Sequence, residues 1–171
     1  VPKAFFVSRR PHGVDRRALG VALIFSGSGI GVAAYLLSLH AAIADNPKKG
    51  LCTFTDTISC DKVLASPYAE IAGISVALIG LFGFAALFGL AAACFFVPWW
   101  GPCRMPTLLV LVAGLGLCFE LGMTGVEVFV IQALCPYCLA AFGLLAATFL
   151  AALWVWRYAR IESSRPEADN A

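Results

Sequence analysis

Four apolar runs, about Ala18 to Ala44, Ile71 to Val97, Thr107 to Leu134 and Cys138 to Tyr158, occupy most of the 171 residues. Each is near or above the ~20 residues that a helix needs to cross the hydrocarbon of a bilayer. With 61% apolar and only 13% charged residues, the chain has too little polar surface to hide those runs inside a soluble domain. Lipid leaves no backbone amide unpaired, and the runs are continuous rather than alternating, so helices are expected in place of barrel strands. The predicted fold class is an all-α membrane protein, a four-transmembrane-helix bundle with an outer loop containing a short helix. Its parts are a basic segment 1–17, the four-helix domain 18–158 with an outer loop at 45–70, and a polar tail 159–171.

Lys and Arg set the expected orientation. Nine of the twelve lie on one side: Lys3, Arg9, Arg10, Arg16 and Arg17 before the first span, Arg104 between the second and third, and Arg157, Arg160 and Arg165 after the fourth. Lys48, Lys49 and Lys62 share the first loop with Asp45, Asp56, Asp61 and Glu70, and the turn before Cys135 has none. Both termini are therefore expected to be cytoplasmic, with the first loop and the last turn facing an oxidising compartment. Ala42-Ile43-Ala44 imitates a signal-peptidase site, but the run before it exceeds an h-region of roughly 7–15 residues, so an uncleaved helix is expected. Gly27-x-Gly29-x-Gly31 has no preceding strand and is no nucleotide loop; Gly27 and Gly31 are expected to let a second helix approach closely.

Two cysteine pairs face that outer side, Cys52/Cys60 in the loop and Cys135/Cys138 at the mouth of the fourth helix. In Cys135-Pro136-Tyr137-Cys138, Pro136 suits the first helical position and Cys135 the N-cap region. The spacing puts both sulfurs on one face, and the free N–H groups and helix dipole favour a thiolate at Cys135. Ser59 can cap a short helix from Cys60 to about Ala65, which Ser66-Pro67 ends. The polar stretch between Cys52 and Cys60 is expected to let Cys52 swing out to a soluble partner. A closed zinc site fits poorly, because the first-loop spacing exceeds the usual 2–4 residues between paired ligands. Two structural disulfides stapling the loop are the competing reading, that of a non-catalytic membrane subunit. Cys94, Cys103 and Cys118 are read as reduced and structural.

Cys52-x7-Cys60 with Thr57-Ile58-Ser59-Cys60, then Ser66-Pro67-Tyr68-Ala69, then a C-x-x-C opening the last helix, resembles the vitamin K epoxide reductase family in its bacterial form. The likeness covers roughly 18–158, and its specific part is the order, loop pair first and C-x-x-C last. It implies a membrane thiol:quinone oxidoreductase that supports disulfide-bond formation. Cys52 would take electrons from a periplasmic thioredoxin-fold thiol oxidase, Cys60 would exchange with Cys135, and Cys138 would face the quinone. It places the protein in a bacterial inner membrane with the redox cysteines on the periplasmic face. The tail is short and polar, so a separate partner protein is expected. Vertebrate members carry an Asn at the start of the second helix and a Tyr four residues after the second C-x-x-C cysteine; here the helix opens Tyr68-Ala69-Glu70-Ile71 and the later position is Phe142. Ubiquinone, menaquinone or phylloquinone is thus the expected acceptor, and vitamin K quinone or epoxide reduction the alternative.

For the quinone ring, Phe142 falls on the stripe of Cys135 and Cys138, while Tyr68, Glu70 and Ser75 lie near the outer surface. Glu120 and Glu127 share a face of the third span, where a carboxyl costs about 2.5–3.5 kcal/mol, so both are expected to point inward. Glu127 is assigned to the quinone site, either on a proton path or in an interhelical hydrogen bond. No motif calls for a metal, flavin or haem, and the basic residues follow topology rather than a nucleic-acid surface.

Overall fold

The computed structural model describes residues 16–45, 52, 53, 55, 57–96 and 104–164. Four helices long and apolar enough to cross a membrane dominate it, which makes this a multi-pass membrane protein. They are α1 (Arg16–Asp45), α3 (Val76–Phe96), α4 (Arg104–Val126) and α5 (Pro136–Ser164), and the short α2 (Cys60–Leu64) lies between α1 and α3. α1 packs against α3 and α5, and α4 closes the bundle between those two.

Lipid removes the usual contrast between apolar inside and polar outside, so packing is carried by size rather than hydrophobicity. The buried stripe of α1 is correspondingly small in its middle, Ala22, Ser26, Gly29 and Ala33, while Ile24, Phe82, Leu115, Leu150 and Trp154 point away from the bundle. Ser26 and Thr148 are buried hydroxyls that donate to the carbonyls of Ala22 and Leu144, at 2.7 and 2.8 Å, so neither is left unpaired. The close approach of α1 to α3 falls at Gly29, where a Cβ would overlap the Phe84 ring. It does not fall at Gly31, which has open space around it, and Gly27 makes only an ordinary contact with Phe88. Of the three, the middle glycine is where α3 comes closest.

The ends of the spans differ from the apolar runs for local reasons. Ile71 does not begin the second span. Pro67–Ala69 form a 3₁₀ turn, and Glu70–Ile71 (β1) pairs antiparallel with Ile74–Ser75 (β2) as a small hairpin. Ala72 and Gly73, with φ of 52° and 78°, occupy the two positive-φ positions of its turn, a conformation Gly73 accepts without strain. The span proper starts at Val76. The third run does not continue to Leu134 either: α4 widens into a π-helical turn at Glu127–Ile131 and stops at Gln132, which is left-handed at φ 54°. Ala133 and Leu134 then run extended into α5.

Candidate active site

The outer loop is sewn to the α4–α5 turn by main-chain hydrogen bonds. Leu134 N–H donates to Thr57 C=O at 2.8 Å and Ser59 N–H to Leu134 C=O at 3.1 Å, the parallel bridge of Ile58 with Leu134. Thr53 and Ser59 form an antiparallel bridge, and Cys60 N–H donates to Cys52 C=O at 3.0 Å. Asp61 secures the start of the loop, accepting from Cys52 N–H at 3.1 Å and Thr53 Oγ1 at 2.6 Å. Ser59 Oγ accepts from Lys62 N–H at 3.2 Å, so it caps α2 as its position before Cys60 predicts.

Between Cys52 and Cys60 the loop is bonded at Thr53, Ile58 and Ser59, and Cys52 is only 6% exposed, so its side chain is not turned out to a partner here. The polar side chains of the segment hydrogen-bond to one another and to the loop backbone. Phe54 and Asp56 lie outside the described residues.

These bonds collect the sulfurs. Cys60 Sγ lies 2.9 Å from Cys52 Sγ and 3.1 Å from Cys135 Sγ, and both Cys60 and Cys135 are fully buried. Cys135 is the N-cap of α5: its carbonyl accepts the first intrahelical bond, from Leu139 N–H at 3.0 Å, and Pro136 is the first helical residue. Its sulfur takes the place of a capping oxygen, accepting from Cys138 N–H at 3.3 Å. The Tyr137 N–H, also free of an intrahelical partner, points at the Cys60 sulfur. Two donors of one helix start thus serve two sulfurs that are far apart in sequence.

The electrostatics follow. Hydrogen bonds from the Cys138 thiol, from the Cys60 thiol and from Cys138 N–H outweigh burial and bring the Cys135 thiol down from 9.0 to about 7. Cys60 goes the other way, because burial and its hydrogen bonds to Cys52 and Cys135 favour the neutral thiol. Within the cluster Cys135 is the sulfur that bears charge and Cys60 the one that holds a proton.

Beneath the cluster a cleft opens between α1, α2, α3, α4 and α5. Cys138 stands in its wall, with Val63, Leu64, Phe84, Met123 and Val126. Of the residues expected near a quinone, Tyr68 and Glu127 line it, joined by Glu120. Phe142, Glu70 and Ser75 do not. Phe142 is half-buried elsewhere on α5, because the cavity meets that helix at Cys138 and Ala141 instead. Glu70 turns outward to His40 Nε2 at 3.3 Å, and the His40 ring also reaches Leu64 C=O at 3.2 Å. Ser75 closes the hairpin, its hydroxyl buried and without a partner. Nothing in the sequence marks the apolar lining from α2 and α3, since Val63 and Leu64 belong to the outer loop and Phe84 looks like any other residue of its span.

The other cysteines stand apart. Cys94 is buried with Leu19 and Val155 toward the far end of the bundle, Cys118 is exposed on α4, and Cys103 lies outside the described residues. Compared with known proteins, the chain matches the model of the vitamin K epoxide reductase family over residues 21–154.

Proposed function

The chain belongs to the vitamin K epoxide reductase family, whose members are thiol–quinone oxidoreductases, and on that premise we propose a relay of named cysteines. A dithiol of a separate thioredoxin-fold partner reduces a Cys52–Cys60 disulfide and leaves oxidised. Cys60 then attacks Cys135 of a Cys135–Cys138 disulfide, forming a Cys60–Cys135 bond and releasing Cys138. Cys52 attacks Cys60, which restores the first disulfide and releases Cys135. The reduced Cys135/Cys138 pair passes two electrons and two protons to a membrane quinone and closes again. The observation that carries the reading is the position of Cys60 Sγ, within 2.9 Å of Cys52 and 3.1 Å of Cys135.

The shift of Cys135 supports the direction of flow, since a thiol near 7 is the better leaving group when Cys52 closes on Cys60. Ubiquinone or menaquinone in the cavity is the proposed acceptor, with Tyr68 and Glu127 beside Cys138. The proposed setting is a bacterial inner membrane with both termini cytoplasmic, which the distribution of Lys and Arg supports. Because Cys52 is buried, it engages a partner only after the Thr53 and Ser59 contacts part.

The test is quinone reduction by purified protein with two donors, a reduced thioredoxin-fold protein and a small dithiol. Cys52→Ala is expected to lose the protein donor and keep the small one, whereas Cys138→Ala loses both. Full activity of Cys138→Ala with either donor sinks the relay. Orientation is read separately: in a cysteine-free background, an impermeant maleimide on intact cells should label Thr57→Cys, which is exposed, and spare a restored Cys103.

A further inference from the structure

Glu127 joins both halves of the redox turn. Its main-chain carbonyl accepts from Gln132 and Ala133 and so finishes α4, and its side-chain Oε2 accepts from Cys135 N–H at 3.1 Å where α5 begins. Cys138, one helical turn into α5, opens on the same cavity as this carboxyl. The group is only 4% exposed, and it lines the cavity together with Cys138 and Glu120. The π-helical turn at Glu127–Ile131 is the local device that sets it there, a feature that recurs at functional sites.

For holding Cys135 N–H alone, an amide would serve as well. A buried carboxyl in a span costs about 2.5–3.5 kcal/mol, and among the described residues no lysine, arginine or histidine lines the cavity to offset it. The titratable groups that face it are Glu120 on its own helix, Cys135 and Cys138 at the start of α5, Cys60 on α2 and Tyr68 on the 3₁₀ turn. What a carboxyl adds to such a site is the capacity to take and return a proton next to a reacting thiol.

We infer that Glu127 is a catalytic residue that takes the proton of Cys138 Sγ as the Cys135–Cys138 disulfide closes and hands it into the cavity toward the quinone oxygen. Glu120 is the next carboxyl on that route. The inference rests on the thiol–quinone reading above. The Cys138 S–H bond breaks as the S–S bond to the Cys135 thiolate forms, two electrons reduce the quinone, its oxygens gain the Cys138 proton through Glu127 and a second proton from water, and Glu127 ends as it began.

The test separates proton transfer from positioning. Glu127→Gln keeps an oxygen for Cys135 N–H but carries no proton; Glu127→Asp keeps the acid on a shorter stem. Single-turnover oxidation of prereduced protein by a short-chain ubiquinone analogue measures the quinone step. Reduction of the oxidised protein by a small dithiol in the absence of quinone, read as loss of the Cys135–Cys138 disulfide, measures thiol exchange and reports whether each variant is folded. Glu127→Gln is expected to slow the quinone step about 100-fold and leave exchange intact, with Glu127→Asp between it and wild type. A loss below about 10-fold, or equal losses in the two assays, overturns the inference and leaves Glu127 a positioning residue. Wild-type protein that fails to reduce the quinone overturns the reading beneath it as well.

Discussion

Two buried thiols at opposite ends of the bundle, Cys94 and Cys135, make an informative pair. Cys94 is packed by Leu19 and Val155, with Ala18, Phe95 and Met105 around them. The nearby polar contacts go elsewhere: Trp156 Nε1 donates to Thr107 Oγ1 at 3.1 Å, Arg16 sits 5.0 Å over the Phe95 ring, and Arg160 4.3 Å over Trp156. Cys135 is as deeply buried, yet it meets the Cys138 N–H and the thiols of Cys60 and Cys138. Burial is common to both, so burial does not make a thiol reactive. Donors aimed at the sulfur do, and one helix start supplies them.

The sharpest break of this comparison is by activity. Cys138→Ala should lower quinone-dependent turnover by at least about 1,000-fold with little change in fold, whereas Cys94→Ala should leave turnover almost unchanged. If Cys94→Ala removes turnover while the protein stays folded, the contrast between the two ends fails. With Cys52 and Cys138 both replaced by Ala, peptide mapping after mild oxidation should find Cys60 bonded to Cys135, because both thiols that can open that bond are gone.

Next in size is the pH dependence of thiol reactivity. Alkylation of Cys135 in the reduced protein should rise with a midpoint near pH 7, while Cys60, held neutral, stays unreactive through that range. For stability the sign is definite. The folded Cys135 value of about 7 lies below the ordinary 9.0, so reduced protein gains stability as pH rises from about 7 to about 9 and loses it as pH falls back. Cys60, shifted upward, is a thiol in both states below its ordinary 9.0 and opposes this only at higher pH. Thermal melts of reduced protein across that range measure the net effect; a melting point that falls between pH 7 and pH 9 contradicts it.

Packing between the two ends gives a smaller effect. Gly29→Ala puts a methyl into the Phe84 ring and should cost about 1–3 kcal/mol, whereas Gly31→Ala, with open space around it, should be nearly neutral. Equal melting temperatures for the two variants would remove Gly29 from the α1–α3 contact. Smallest of all, Gln132→Gly at the left-handed end of the π turn should be neutral or stabilising by up to about 1 kcal/mol, since glycine has no Cβ to clash there.

Much of the site was legible because its rules act within one helical turn. Ser59 before Cys60 announces a cap, Pro136 after Cys135 announces a first helical residue, and the C-x-x-C spacing announces two sulfurs on one face. That Phe142 does not line the cavity could not be read, because a stripe on one helix does not say which neighbour meets it, and the contact of Glu70 with His40 joins residues 30 positions apart. The hairpin at Glu70–Ser75 was hidden by its own composition, since Ile71 and Ile74 read as the opening of a span.

What the sequence by itself determined is the number of spans and the starts of α2 and α5, settled by hydrophobic length and by caps contained in a few residues. Only the tertiary structure decided that Cys60 meets Cys135 across 75 positions, through the bridge of Ile58 with Leu134, and that Glu127 rather than Phe142 lines the cavity with Cys138. The physical reason is the bilayer. Where both faces of a helix are apolar, composition no longer marks which face turns inward, and that choice passes to the fit of small residues such as Gly29 and to hydrogen bonds made between elements far apart in the chain.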